Sequence, residues 1–258
     1  MRRIARRYWP ALGLLALAVA MAAADAAPAS ADAAPAGVPP FVAAAERGGP
    51  PPPDPARQPE AWLIAHVDVE ATGLVPGWHE MIDIGIVLTE LDGSVRDSYF
   101  TRIQPRHPER LSPGAFAVNA FEPERWKRLG ALEPAAAVRE IVAFHGRAAA
   151  GRHVLLAAYN SQFDTAFVDH LLRAEGRSWR ELYHYFVLDV PSMAWALGLR
   201  ELVNGRVAAR LGVPDEPRVA EEHTGVTGAM LNARIYQALV RRARELGVEP
   251  AAAAGIAK

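Results

Sequence analysis

A mixed α/β domain is what this sequence predicts, on three observations. Three strand-like runs follow one another between Trp62 and Ile103, with a turn signal joining the second to the third. From about residue 112 onward, helical and strand-like segments alternate. The apolar content is 51%, enough for a sizeable core. Strands first, then helices interleaved with strands, is the order of a mixed α/β fold.

The elements follow in order. Trp62–Glu70 (WLIAHVDVE) is an apolar run ending in acids, and Met81–Leu91 (MIDIGIVLTEL) is a second, rich in β-branched residues. Asp92-Gly93 is a hairpin signal, so Ser94–Ile103 reads as a third, antiparallel strand. Pro105 and Pro108 break the pattern. The spacing predicts helices over Ser112–Ala120 and Glu133–Gly146, a short buried strand at Val154–Tyr159 and an amphipathic helix over Gln162–Glu175. Phe186–Asp189 is a last strand, and the remainder reads as mainly helical to about Leu246. No internal repeat is present.

The ends differ in texture. Arg2, Arg3, Arg6 and Arg7 precede an uncharged stretch from Tyr8 to Ala24, with small residues before Asp25. That is the layout of a secretory signal peptide; residues 8–24 are short for a comfortable membrane span, and a single membrane tether is left open. A genuine leader implies a periplasmic, secreted or membrane-anchored protein; a translated extension leaves the domain in the cytoplasm. Residues 25–59 are Ala/Pro/Gly-rich and are expected to be a disordered linker with no fold of its own. This assigns 1–24 to the leader, 25–59 to the linker, 60–246 to the domain and 247–258 to a disordered tail.

Composition narrows the chemistry. The chain has 258 residues, a formal net charge of −1 and no cysteine. Disulfides, zinc-thiolate sites and thiol nucleophiles are excluded. The charge balance lacks the global basicity of many nucleic-acid binders, although bound divalent cations can supply positive charge locally.

Three segments carry candidate chemistry. In Asp68-Val69-Glu70-Ala71-Thr72-Gly73 the two acids lie two apart on a strand, so their carboxylates share a face with Ile64 and His66. Like charges on an apolar strand repel, and an oxygen-seeking cation such as Mg²⁺ or Mn²⁺ would relieve them. An exposed strand end explains the same pair. In Asn160-Ser161-Gln162-Phe163-Asp164 an acid opens a helix just after a buried strand. The helix dipole alone would favour Asp164 there, and Asn160 could be a plain cap. The third segment, Glu221-Glu222-His223-Thr224-Gly225-Val226-Thr227-Gly228-Ala229, opens a long helix, and its histidine has a pKa suited to general-base work. His66 reads as a hydrogen-bonded core histidine. His79, beside Trp78, reads as an exposed loop residue.

In order, spacing and accompanying residues, these segments resemble the DEDDh 3′→5′ exonucleases, a family that includes ribonuclease T, oligoribonuclease and the DNA polymerase III epsilon subunit. The resemblance covers about Trp62 to Leu246. It implies a ribonuclease-H-like mixed sheet, three antiparallel strands then parallel ones, flanked by helices. It implies that Asp68, Glu70 and Asp164 hold two Mg²⁺ or Mn²⁺ ions and that His223 is the general base. Thr72, Gly73, Leu74 and Asn160 would hold the terminal nucleotide of a single-stranded DNA or RNA 3′ end, with release of nucleoside 5′-monophosphates. A homodimer is left open. The family's last metal-binding Asp falls at Gly228, so weakened cleavage is expected, with Gly228→Asp as a gain of activity; a fully active chain would instead require a substitute ligand, Glu221 or Glu222, both of which precede the helix. The alternative is a catalytically degenerate relative that binds nucleic acid or a protein partner.

Overall fold

Side-chain alternation along one central strand organises the molecule. In the computed structural model, which describes residues 37–46 and 51–248, that strand is β1 (Trp62–Ala71). β2 (Met81–Thr89) pairs antiparallel with β1, and β3 (Val95–Arg102) antiparallel with β2. On its other edge β1 runs parallel to β4 (His153–Ala158), which runs parallel to β5 (Val187–Asp189). The order is β3-β2-β1-β4-β5, a mixed sheet flanked by helices as expected.

Period-2 geometry divides β1 between two packing layers. Leu63, Ala65, Val67 and Val69 enter the main core, where Val138, Ile141 and Phe144 of α4 (Pro134–Ala149) and Phe167 and Leu171 of α5 (Ser161–Ala174) meet them. The alternate residues face α8 (Gly225–Glu245): Ile64 packs with Tyr236, and the His66 ring lies 5.3 Å from the Tyr236 ring. His66 is fully buried with Nε2 3.2 Å from the Thr89 hydroxyl, and burial pushes its pKa down to about 3, so it is a neutral core residue.

Two glycines let α8 approach the sheet. A Cβ on Gly85 of β2 would overlap the Gly225–Val226 backbone, and one on Gly225 would overlap the Asp68 carbonyl and the Gly85 nitrogen. α6 (Val190–Ala196) and α7 (Asn204–Arg210) pack against the middle of α8 through Val190, Ala194, Val207, Leu231 and Ile235. Between β3 and α4 lie α2 (Pro113–Asn119), capped by the Ser112 hydroxyl accepting from the Ala115 N–H, and α3 (Pro123–Arg128). α3 has no counterpart among the predicted elements. Its six residues are too few for periodicity, and it is fixed by buried Trp126, whose indole N–H donates to the Ile82 carbonyl at 2.7 Å.

The linker expectation needs correction. Within residues 25–59, Pro40–Glu46 forms α1, and the Arg173 guanidinium lies 5.2 Å from the Phe41 ring centre. Further along, the Pro53 carbonyl accepts from the Trp62 indole N–H at 2.9 Å. Composition hid this because the anchoring contacts are few and come from the domain's side. Residues 1–36 and 249–258, with the leader, the possible tether at 8–24 and nearly all of the tail, lie outside the described residues. Among the described residues no helix is long and apolar enough to cross a membrane.

Candidate active site

The strand parity that sends Val67 and Val69 into the core turns Asp68 and Glu70 toward α8, at the carboxyl end of β1. The neighbouring parallel strand, β4, ends at Ala158, and α5 begins at Ser161, which brings Asp164 of its first turn to the same end of the sheet. There Asp164 Oδ1 accepts the Val69 N–H at 3.1 Å, between the two acids of β1. His223, just before α8, places Nε2 3.0 Å from Glu70 Oε1. The structure thus brings together all four residues expected to carry the chemistry.

Sequence reasoning missed three neighbours. Asp83 stands directly opposite Glu70 in the β1–β2 ladder and is fully buried. Its Oδ1 accepts the Gly225 N–H at 2.9 Å, and its Oδ2 has no partner. Asn119, at the end of α2, donates its amide to the Ala71 carbonyl at 3.1 Å and to Glu70 Oε2 at 3.3 Å. Glu216, in the loop joining α7 to α8, lies with Oε2 3.5 Å from His223 Nδ1. Strand pairing was the one signal that could have found Asp83; nothing local marks the other two. Glu221 and Glu222, the substitute ligands a fully active chain would require, are both exposed.

Electrostatics mark the cluster as short of positive charge. Burial, then repulsion from Asp164 and Glu70, hold the Asp68 carboxyl well above the usual carboxylate range. Asp164 is likewise raised, first by burial. Asp83 is pushed up to about 7 by burial and by Glu70. His223 is raised to about 9, chiefly by its hydrogen bond to Glu70, so the imidazolium serves as local counter-charge. An all-oxygen donor set under mutual repulsion fits a hard divalent cation. Among the described residues no three acids or histidines already stand in a coordinating group; Glu70 contacts His223, Asp164 accepts the Val69 N–H and Asp83 accepts the Gly225 N–H.

Gly228 faces Asp68. A Cβ there would overlap both carboxylate oxygens, so the space a side chain would need is filled by the Asp68 carboxyl. Gly228→Asp therefore requires the Asp68 carboxyl to move aside.

Beside Glu70 a cleft of about 440 Å³ opens between the loop after β1 and α2, lined by Gly73, Leu74, Ala115, Val118, Asn119 and Phe163 among others. Leu74 is 79% exposed at its mouth. Of the four residues expected to hold a nucleotide, Gly73 and Leu74 line this cleft. Thr72 is buried, with its hydroxyl accepting the Glu80 N–H at 3.0 Å. Asn160 is exposed in the left-handed region (φ 65°) and makes no side-chain cap bond; Asp189 instead accepts the first N–H of α5, from Ser161, at 3.0 Å. Asn tolerates that backbone better than most residues, which explains it without a ligand. His79 Nδ1 accepts the Val75 N–H at 3.0 Å, and its ring packs where a Gly73 side chain would stand. It organises the loop.

Comparison with solved structures adds an independent observation. The nuclease domain of 3′hExo, a DEDDh family member bound to rAMP, superposes with a TM-score of 0.58 at 16% identity, covering 73% of this chain and 94% of that one. The fold is that of the DEDDh exonucleases. E. coli exonuclease I in complex with a dT13 oligonucleotide shares the exonuclease fold at a TM-score of 0.58 and 14% identity, over 72% of this chain. The match spans 42% of exonuclease I. The zinc-ion-bound form of the E. coli enzyme with single-stranded DNA gives 0.55 and 15%, covering 72% of this chain and 41% of that one. No protein-family model and no curated protein sequence matches the chain.

Proposed function

We propose that this chain is a metal-dependent 3′→5′ exonuclease acting on single-stranded DNA or RNA ends and releasing nucleoside 5′-monophosphates. The observation that carries the reading is the meeting of Asp68, Glu70 and Asp164 with His223 at one end of the sheet, beside an apolar cleft open at Leu74. Asp68, Glu70 and Asp164 would hold Mg²⁺ or Mn²⁺. Such ions, when bound, neutralise the phosphodiester and stabilise charge on the attacking and leaving oxygens. Leu74, Val118 and Phe163 receive the terminal base and sugar, with Gly73 lining the same cleft. With cations neutralising Glu70, His223 would give up the proton that Glu70 now stabilises and, as the neutral imidazole, take the proton of the attacking water through Nε2, the nitrogen that faces the acids.

A second reading is favoured by one feature, the Asp68 carboxyl lying where a residue larger than Gly228 would project. On that reading the site has lost cleavage and keeps nucleic-acid or protein binding. Incubating the full chain with 5′-labelled single-stranded DNA and RNA, in Mn²⁺ or in EDTA, separates the two. Slow shortening from the 3′ end, abolished by EDTA and by Asp164→Asn, is the expected result. Salt-sensitive binding without cleavage supports the degenerate site, and neither binding nor cleavage sinks the nuclease reading.

A further inference from the structure

We propose that Glu216 is a positioning residue for His223, holding the imidazole from its Nδ1 side so that Nε2 faces Glu70 and the other acids. Its consequence for cleavage rests on the nuclease reading above, whereas the arrangement of the ring does not. Glu216 belongs to a loop, yet its side chain is only 2% exposed. A carboxylate buried on a loop is costly unless charged or hydrogen-bonding partners hold it there. Its Oε1 lies 3.2 Å from Arg218 Nη1. Arg218 is itself fixed by the two oxygens of Asp215, at 2.7 and 3.0 Å, and by Asn204 Oδ1 at 3.0 Å.

The other oxygen, Oε2, is the one turned to His223 Nδ1 at 3.5 Å, beside the Pro217 carbonyl at 3.3 Å from the same nitrogen. The Thr227 hydroxyl is 3.3 Å from Oε2, but it has one proton, and the Thr224 carbonyl at 2.7 Å is the better acceptor. The ring aimed at Oε2 is therefore that of His223, through Nδ1. A continuous series of polar contacts runs from Asp215 through Arg218, Glu216 and His223 to Glu70. Acceptors on the Nδ1 side keep a proton on that nitrogen and fix the ring's direction, which leaves Nε2 as the nitrogen that works toward the acids.

The test uses the full chain labelled with ¹⁵N at histidine, as wild type, Glu216→Gln and Glu216→Leu. The near-isosteric Gln variant keeps an acceptor but removes the charge, so it decides the matter if Glu216→Leu fails to fold. The expected result is that the His223 ring ¹⁵N signals move in Glu216→Gln and further in Glu216→Leu. In Mn²⁺, kcat falls about 10–100-fold with KM unchanged, the usual cost of losing an orienting partner. A folded Glu216→Gln protein whose His223 ring signals stay at their wild-type positions overturns the proposal. A wild type that does not cleave overturns the nuclease reading alone, because the ring signals still report on Glu216.

Discussion

At Gly228 the energetics turn on a single absent side chain. An added Cβ would overlap the Asp68 carboxyl, which already sits among Asp164 and Glu70 with its pKa raised by burial and their repulsion. Gly228→Asp therefore combines overpacking with a further like charge. Its expected metal-free cost is about 1–3 kcal/mol from the steric part alone. A divalent cation changes the sign of the electrostatic part, since an ion between carboxylates removes their repulsion and binds only the folded chain. Thermal melts in EDTA and in Mn²⁺ should show the variant below wild type in EDTA and gaining more than wild type from Mn²⁺. Equal melting temperatures in EDTA would mean that Asp68 has room to swing aside, and a Mn²⁺ gain no larger than wild type would remove residue 228 from the metal site.

Helix α8 carries the same lesson at the scale of an element, because its docking depends on backbone touching backbone. At Gly85 the atoms in the way of a Cβ belong to the Gly225–Val226 backbone and cannot rotate away. Gly85→Ala should push the helix start from the sheet and cost about 1–3 kcal/mol or more. Gly146, exposed in α4 with open space around its Cβ position, is the control: Gly146→Ala should stabilise by about 0.5–1 kcal/mol through helix propensity. Chemical denaturation of both variants checks the pair, and a Gly85→Ala protein as stable as wild type would show that the close approach is not needed. These glycines also show what the sequence could and could not disclose. The five strands and most of the helices were legible because apolar periodicity is a local property, and the facing of Asp68 with Glu70 follows from strand parity. Asp83 and Glu216 were not legible, because their place beside Glu70 and His223 depends on strand register and on the path of a loop. Thr72 was assigned to a nucleotide from its position in a motif, whereas its hydroxyl closes the loop onto Glu80.

Across the whole molecule the candidate site and the attachment of the N-terminal segment stand toward opposite ends of β1, about 20–26 Å apart from Trp62 to Asp68 and Glu70 at the rise of a strand. Asp68 and Glu70 lie near its carboxyl end. Trp62, at its start, is packed between the rings of His153 and His184, at 5.1 and 5.3 Å, and gives its indole N–H to the Pro53 carbonyl. A chain beginning at residue 52 keeps that acceptor and loses α1; one beginning at residue 58 loses both. Losing Pro53 removes the acceptor of the Trp62 indole N–H, a net cost of about 0.5–1.5 kcal/mol for one hydrogen bond. At roughly 2–4 °C per kcal/mol for a domain of this size, the shorter chain should melt a few degrees below the longer one. Cleavage measured well below both melting temperatures should be the same, because neither truncation touches the acids, His223 or the cleft at Leu74. Equal melting temperatures would show that water replaces Pro53 at no cost. A fall in cleavage at equal folded fraction would mean that the segment before residue 58 reaches the site, contrary to where β1 begins and ends.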